Sequence, residues 1–136
     1  GEVIMSTLVL TSHGRFCEEL KKSVELIFGP QDENRTLALL PEEGEEDYVR
    51  KFKALQEETN GDKLIVLADL MGGTPANQVS KFVMQGANID LYTGMNMPMC
   101  ISYLNAQMTG QPLNIVRDAT QGVQYIKDKL TKNKNN

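Results

Sequence analysis

Thr7-Leu8-Val9-Leu10-Thr11 runs without a break into Ser12-His13-Gly14, and Leu64-Ile65-Val66-Leu67-Ala68 runs into Asp69-Leu70-Met71-Gly72-Gly73-Thr74-Pro75. Both runs are nearly continuous in hydrophobicity, the pattern of strands covered on both faces rather than on one. Residues 36–40 (TLALL) and 89–92 (IDLY) read as two further strands. Four short strands alternating with helical stretches imply right-handed βαβ crossovers and parallel pairing. The expected fold is α/β: a doubly wound, mainly parallel four-stranded sheet with helices on both faces and room for an extra antiparallel edge strand.

The helices follow from spacing and punctuation. Phe16, Leu20, Val24, Ile27 and Phe28 recur at helical intervals, with Glu18, Lys21, Lys22 and Glu25 on the other face, until Gly29-Pro30 stops the helix. The acidic run 42–47 favours the positive end of a helix dipole and opens a second helix that buries Tyr48, Phe52 and Leu55 before Asn60-Gly61. Thr74-Pro75 marks a third start, with the threonine hydroxyl as cap and Ala76, Val79, Phe82 and Val83 as the buried stripe. A fourth helix is expected from Pro98 toward Gln107, and a last one over 116–130. The chain then divides into an N-terminal extension (1–6), a single domain (7–130) and a disordered polar tail (131–136).

Composition narrows the function. The 136 residues carry 14 basic and 18 acidic side chains, a formal charge of −4, and no basic stripe interleaved with aromatics. That excludes an ordinary nucleic-acid surface and points to proteins or small molecules as partners. Cys17 and Cys100 lie in apolar stretches without CxxC spacing, as buried, reduced thiols do. No apolar run approaches the roughly 20 residues of a membrane span, so a cytoplasmic location is expected.

In a doubly wound sheet, chemistry gathers beyond the carboxyl ends of the strands, where strand order reverses. His13, the only histidine, ends the first strand there; Asp69 ends the third and leads into a glycine-rich turn; Thr93-Gly94-Met95-Asn96-Met97-Pro98 ends the fourth. A neutral imidazole whose inner nitrogen donates to a carboxylate presents its outer nitrogen as a nucleophile toward phosphorus. His13 and Asp69 are therefore the catalytic candidates. Phosphoryl transfer otherwise needs donors for the equatorial oxygens, a task for the Gly72 and Gly73 N–H groups, the Thr74 hydroxyl, Ser12 and Gly14. Met71, Met95, Asn96 and Met97 are candidate partner contacts. Thioethers without nearby His or Cys make a poor metal site, and neither a metal nor an organic cofactor is expected. Each feature alone has a plainer reading, since a histidine after a strand often just lies on the surface and Asp69 could simply brace a turn. Their convergence on one edge favours chemistry.

Ser12-His13-Gly14, the segment from Ala68 through Gly72-Gly73-Thr74-Pro75-Ala76-Asn77, and Gly94-Met95-Asn96-Met97-Pro98-Met99 resemble the enzyme IIA component of the mannose family of the bacterial sugar phosphotransferase system. The resemblance covers roughly 7–107. It implies a phosphohistidine at His13, charged by HPr and discharged to the EIIB component, with Asp69 orienting the ring and Thr74 and loop N–H groups holding the phosphoryl oxygens. Contact with the membrane components EIIC and EIID would run only through EIIB. It also implies a homodimer exchanging an edge strand near the C-terminus, although the chain after Leu130 is polar and lysine-rich, poor strand material. Met71 stands before Gly72 where the best-known mannose member has tryptophan, which bears on the sugar served and not on the chemistry. Two alternatives stay open: a phosphocarrier subunit serving dihydroxyacetone kinase, and a non-catalytic regulatory module that binds a small anion.

Overall fold

A computed structural model describes residues 6–134. Four strands, β1 (Ser6–His13), β2 (Arg35–Leu39), β3 (Lys63–Ala68) and β4 (Ile89–Thr93), form one sheet in the order β2-β1-β3-β4. Every pairing is parallel: Thr11 stands beside Leu37 on one side and Ala68 on the other, and Ala68 stands beside Thr93. The expected parallel four-stranded α/β sheet is thus present. Among the described residues there is no antiparallel edge strand.

The chain steps from β1 one way to β2, then back across β1 to β3 and on to β4. Right-handed crossovers on this path put α1 (Phe16–Phe28) on one face and α2 (Glu45–Glu58) and α3 (Thr74–Met84) on the other. Alternation along the strands supplies each face with side chains. Val9, Leu37, Leu64 and Val66 meet Tyr48, Phe52 and Leu55 of α2 and Val79 of α3 in a continuous core. Phe52 packs against Phe82 with ring centroids 4.9 Å apart.

The described residues fall into two compact units, 6–97 and 98–134. The first holds the sheet and α1–α3. The second holds nearly all of α4 (Met97–Thr109) and the whole of α5 (Ile115–Gln121) and α6 (Ile126–Lys134). The single helix expected over 116–130 is in fact α5 and α6, separated at Gly122. A Cβ there would lie 3.1 Å from the Pro98 ring, so close packing selects glycine, and glycine weakens a helix interior by about 1 kcal/mol. Instead of beginning a polar tail after Leu130, or supplying a strand for exchange, the chain continues as α6 to Lys134. Residues 1–5 and 135–136, the rest of the expected extension and tail, lie outside the described residues. No described helix is long and apolar enough to cross a membrane.

Candidate active site

The reversal of strand order falls between β1 and β3, and these two strands deliver His13 and Asp69 to one edge. The Asp69 N–H donates to the Thr11 carbonyl at 3.2 Å, extending the ladder one residue past β3. Asp69 Oδ2 then accepts two bonds from His13: the main-chain N–H at 2.9 Å and ring Nδ1 at 2.8 Å. Asp69 Oδ1 accepts the Leu70 N–H at 3.0 Å. One carboxylate therefore fixes both the backbone and the ring of His13, and the Nδ1–H tautomer leaves Nε2 with its lone pair.

The electrostatics agree with a paired acid. Burial is the largest influence on the Asp69 carboxyl and pushes it up. The hydrogen bonds from the His13 main chain and ring, the charge of that ring when protonated and the Leu70 N–H outweigh it and hold the carboxyl below its usual range. The Asp69 side chain is 11% exposed and the His13 side chain 48%, so the brace is sheltered while the ring faces solvent.

The glycine turn closes on that ring. A Cβ on Gly73 would stand 2.5 Å from His13 Cε1 and 3.1 Å from Nε2, so only glycine lets the main chain come this close. Gly72 has φ +87°, a conformation that side chains resist. Gly73 is the N-cap of α3, and Thr74 and Pro75 follow as its first helical residues, so the positive end of the helix lies beside the imidazole. Thr74 does not cap α3 through its hydroxyl, contrary to the sequence expectation. Starting the helix one residue earlier places the threonine inside it.

A profile of the EIIA-man family, described as the PTS system fructose IIA component, matches residues 7–120. The chain belongs to the EIIA-man family. The fructose-specific EIIA component of Bacillus subtilis is 28% identical over 102 residues, covering 74% of this chain and 70% of that protein. The mannose-specific EIIAB component of Escherichia coli is 29% identical over 101 residues, which are 74% of this chain but only 31% of the longer relative. Among solved structures, the PTS IIA protein associated with the fucose utilization operon of Streptococcus pneumoniae superposes with a TM-score of 0.83 at 26% identity, covering 96% and 99% of the two chains. As a mannose-family EIIA component, the chain has a phosphocarrier role in a sugar phosphotransferase system.

Within this EIIA chain, the edge gathers His13, Asp69, Gly72, Gly73 and Thr74, and three predicted residues are placed otherwise. Ser12 is fully buried: its hydroxyl accepts the Cys17 N–H and donates to the Gly14 carbonyl, both at 2.9 Å, bracing the turn into α1 instead of facing the edge. The Gly14 N–H is spent on the Leu39 carbonyl at 2.7 Å. Met95 is 5% exposed, because its N–H continues the β3–β4 pairing to the Ala68 carbonyl and carries the side chain inward, so it offers a partner nothing. Asn96 and Met97 are half-buried, whereas Met71 is 82% exposed. Both cysteines are buried and free, and burial raises Cys100 to about 12. Asn77 was not singled out by the sequence. Its side chain donates to the Gly72 carbonyl at 3.1 Å, and an amide in the first turn of a helix after Gly-Gly is the signal that could have found it.

Proposed function

We propose that this chain is the phosphohistidine carrier of a cytoplasmic sugar phosphotransferase system, taking a phosphoryl group from phospho-HPr on His13 and passing it to EIIB. The 2.8 Å bond from His13 Nδ1 to Asp69 carries this reading. The Nε2 lone pair attacks phosphorus in line, the phosphorus–nitrogen bond to the donor histidine breaks, and its electron pair returns to the donor ring. The His13 ring keeps its Nδ1 proton, and the positive charge that develops there is met by Asp69. The Gly73 N–H and the Thr74 hydroxyl are the donors suited to the transferring oxygens, and discharge to EIIB is the same step reversed. Exposed Leu70 and Met71, between Asp69 and the glycine turn in the chain, suit docking of the two partner proteins in turn.

The reading includes a homodimer, which light scattering on the purified chain measures. The chemistry is tested by incubation with phosphoenolpyruvate, enzyme I and HPr followed by intact mass at neutral pH. One phosphoryl group adds about 80 Da, and the gain is expected in the native chain, lost in acid and absent from His13→Ala. A native chain that gains nothing is a binding module. A phosphorylated chain that discharges to a dihydroxyacetone kinase complex and not to EIIB belongs to the kinase system.

A further inference from the structure

The Gly72–Gly73 peptide borders the ring of His13: a Cβ on Gly73 would stand 2.5 Å from Cε1 and 3.1 Å from Nε2. Gly72 has φ +87°, a backbone conformation that glycine adopts readily and side chains resist. The orientation of the peptide plane matters because the two ends of a peptide have opposite polarity. In one orientation the Gly73 N–H is offered to an anion on Nε2. In the other, the Gly72 carbonyl oxygen takes its place and repels that anion.

Asn77, exposed in the first turn of α3, grips this peptide from behind. Its Nδ2 donates to the Gly72 carbonyl of this peptide at 3.1 Å, while its main-chain N–H donates to the carbonyl of the following peptide, that of Gly73, at 2.9 Å as the first bond of the helix. The described peptide bonds are all trans, and in a planar trans peptide the C=O and N–H vectors point in opposite directions. Drawing the Gly72 oxygen toward Asn77 therefore turns the Gly73 N–H away from Asn77. That N–H donates to no group among the described residues. Its own α-carbon stands against the ring, where an added Cβ would be 3.1 Å from Nε2.

We propose that Asn77 is a positioning residue: by holding the Gly72 carbonyl, its side-chain amide keeps the Gly73 N–H presented to the phosphoryl oxygens on His13. This rests on the phosphocarrier reading. Asn77 touches neither the ring nor the phosphoryl group and acts through the peptide it orients. Its contribution grows as charge builds on the transferring oxygens, so it acts on kcat and not on encounter with the donor protein.

The test compares native protein with Asn77→Ala and Asn77→Asp, measuring initial rates of uptake from phospho-HPr over a range of donor concentrations. The Gly73 amide resonance is followed by 1H–15N NMR before and after phosphorylation. In native protein the Gly73 amide proton should move downfield when His13 is phosphorylated, and both variants should show a smaller movement. Asn77→Ala should lower kcat about tenfold with KM within about twofold. Asn77→Asp, which puts an acceptor where the donor stood, should lose at least as much. Native kcat in both variants overturns the proposal, as does a raised KM with kcat unchanged, which would make Asn77 a docking residue. Should neither variant fold, the native Gly73 resonance decides, and its failure to move overturns the proposal. A native chain that accepts no phosphoryl group overturns the carrier reading and this inference with it, whereas native-like variants on a working carrier overturn this inference alone.

Discussion

At the scale of single residues, His13 and Asp69 are separated by 55 intervening positions yet share one oxygen atom twice over. Oδ2 accepts both His13 hydrogen bonds and Oδ1 accepts the Leu70 N–H, so both side-chain oxygens serve as acceptors, as a carboxylate allows. Asn at position 69 keeps one oxygen for the two His13 donors but sets its amide nitrogen against the Leu70 N–H that Oδ1 accepts, and it carries no charge to stabilise a phosphorylated ring. Asp69→Asn should slow uptake from phospho-HPr by about 10² or more with the fold retained, read as initial rate and circular dichroism; an unchanged rate would refute the orienting role. Gly73 makes a separate demand. A methyl group there meets the ring at 2.5 Å and must displace it, so Gly73→Ala should cost about 10² in kcat, the usual penalty for misplacing a reacting group by an ångström. Native kcat in that variant would show that the ring has room to move.

At the scale of elements, two hydroxyls tie helices to the end of β1. Ser12 takes the Cys17 N–H of α1. On the opposite face, the Thr11 hydroxyl donates to the Leu37 carbonyl at 2.7 Å, so the Tyr48 hydroxyl, 2.7 Å away, must be the donor to Thr11. Burial pushes the Tyr48 phenol up, which keeps that proton in place. The two replacements should differ in cost. Ser12→Ala strands a buried N–H and should destabilise by roughly 1–3 kcal/mol, whereas Tyr48→Phe leaves Thr11 still bonded to Leu37 and should cost nearer 1 kcal/mol. Urea unfolding measures both, and the opposite ranking would contradict these assignments. Neither tie was legible in the sequence. Ser12 beside a candidate nucleophile invites a phosphoryl-binding reading, and only the buried face on which it falls makes it a brace.

At the scale of the whole molecule, Glu25, Glu43, Asp47, Asp69 and Asp118 are all held below the usual carboxylate range. For Glu25 the main cause is the Gln31 N–H, for Glu43 it is Lys51, for Asp47 the Gly44 N–H and for Asp118 the Ser102 hydroxyl; for Asp69 the bonds from His13 overcome burial. A carboxyl depressed in the folded state adds stability above its unfolded value of about 4 and loses it as pH falls through the folded value. The urea midpoint should therefore hold near pH 6 and fall steadily from about pH 4 downward. In Asp69→Asn the fall should be shallower; equal slopes would mean that the His13–Asp69 pair contributes nothing to acid sensitivity.

By itself the sequence determined the four strands and first four helices, the parallel pairing and the edge on which chemistry would lie, because hydrophobic runs, helical spacing and Gly-Pro stops are local properties of the chain. It also put His13, Asp69 and the Gly72-Gly73 turn on one edge, since parallel strands end on the same side of a sheet; that β1 and β3 are neighbours, which sets His13 against Asp69, came from the tertiary structure. Only the tertiary structure decided which polar groups on that edge are free. Ser12 and Gly14 are spent on the turn into α1, Met95 is turned inward, and Asn77 reaches back to Gly72. Whether a hydroxyl, an N–H or a thioether faces outward depends on partners far along the chain, and no local pattern encodes where those partners come to rest.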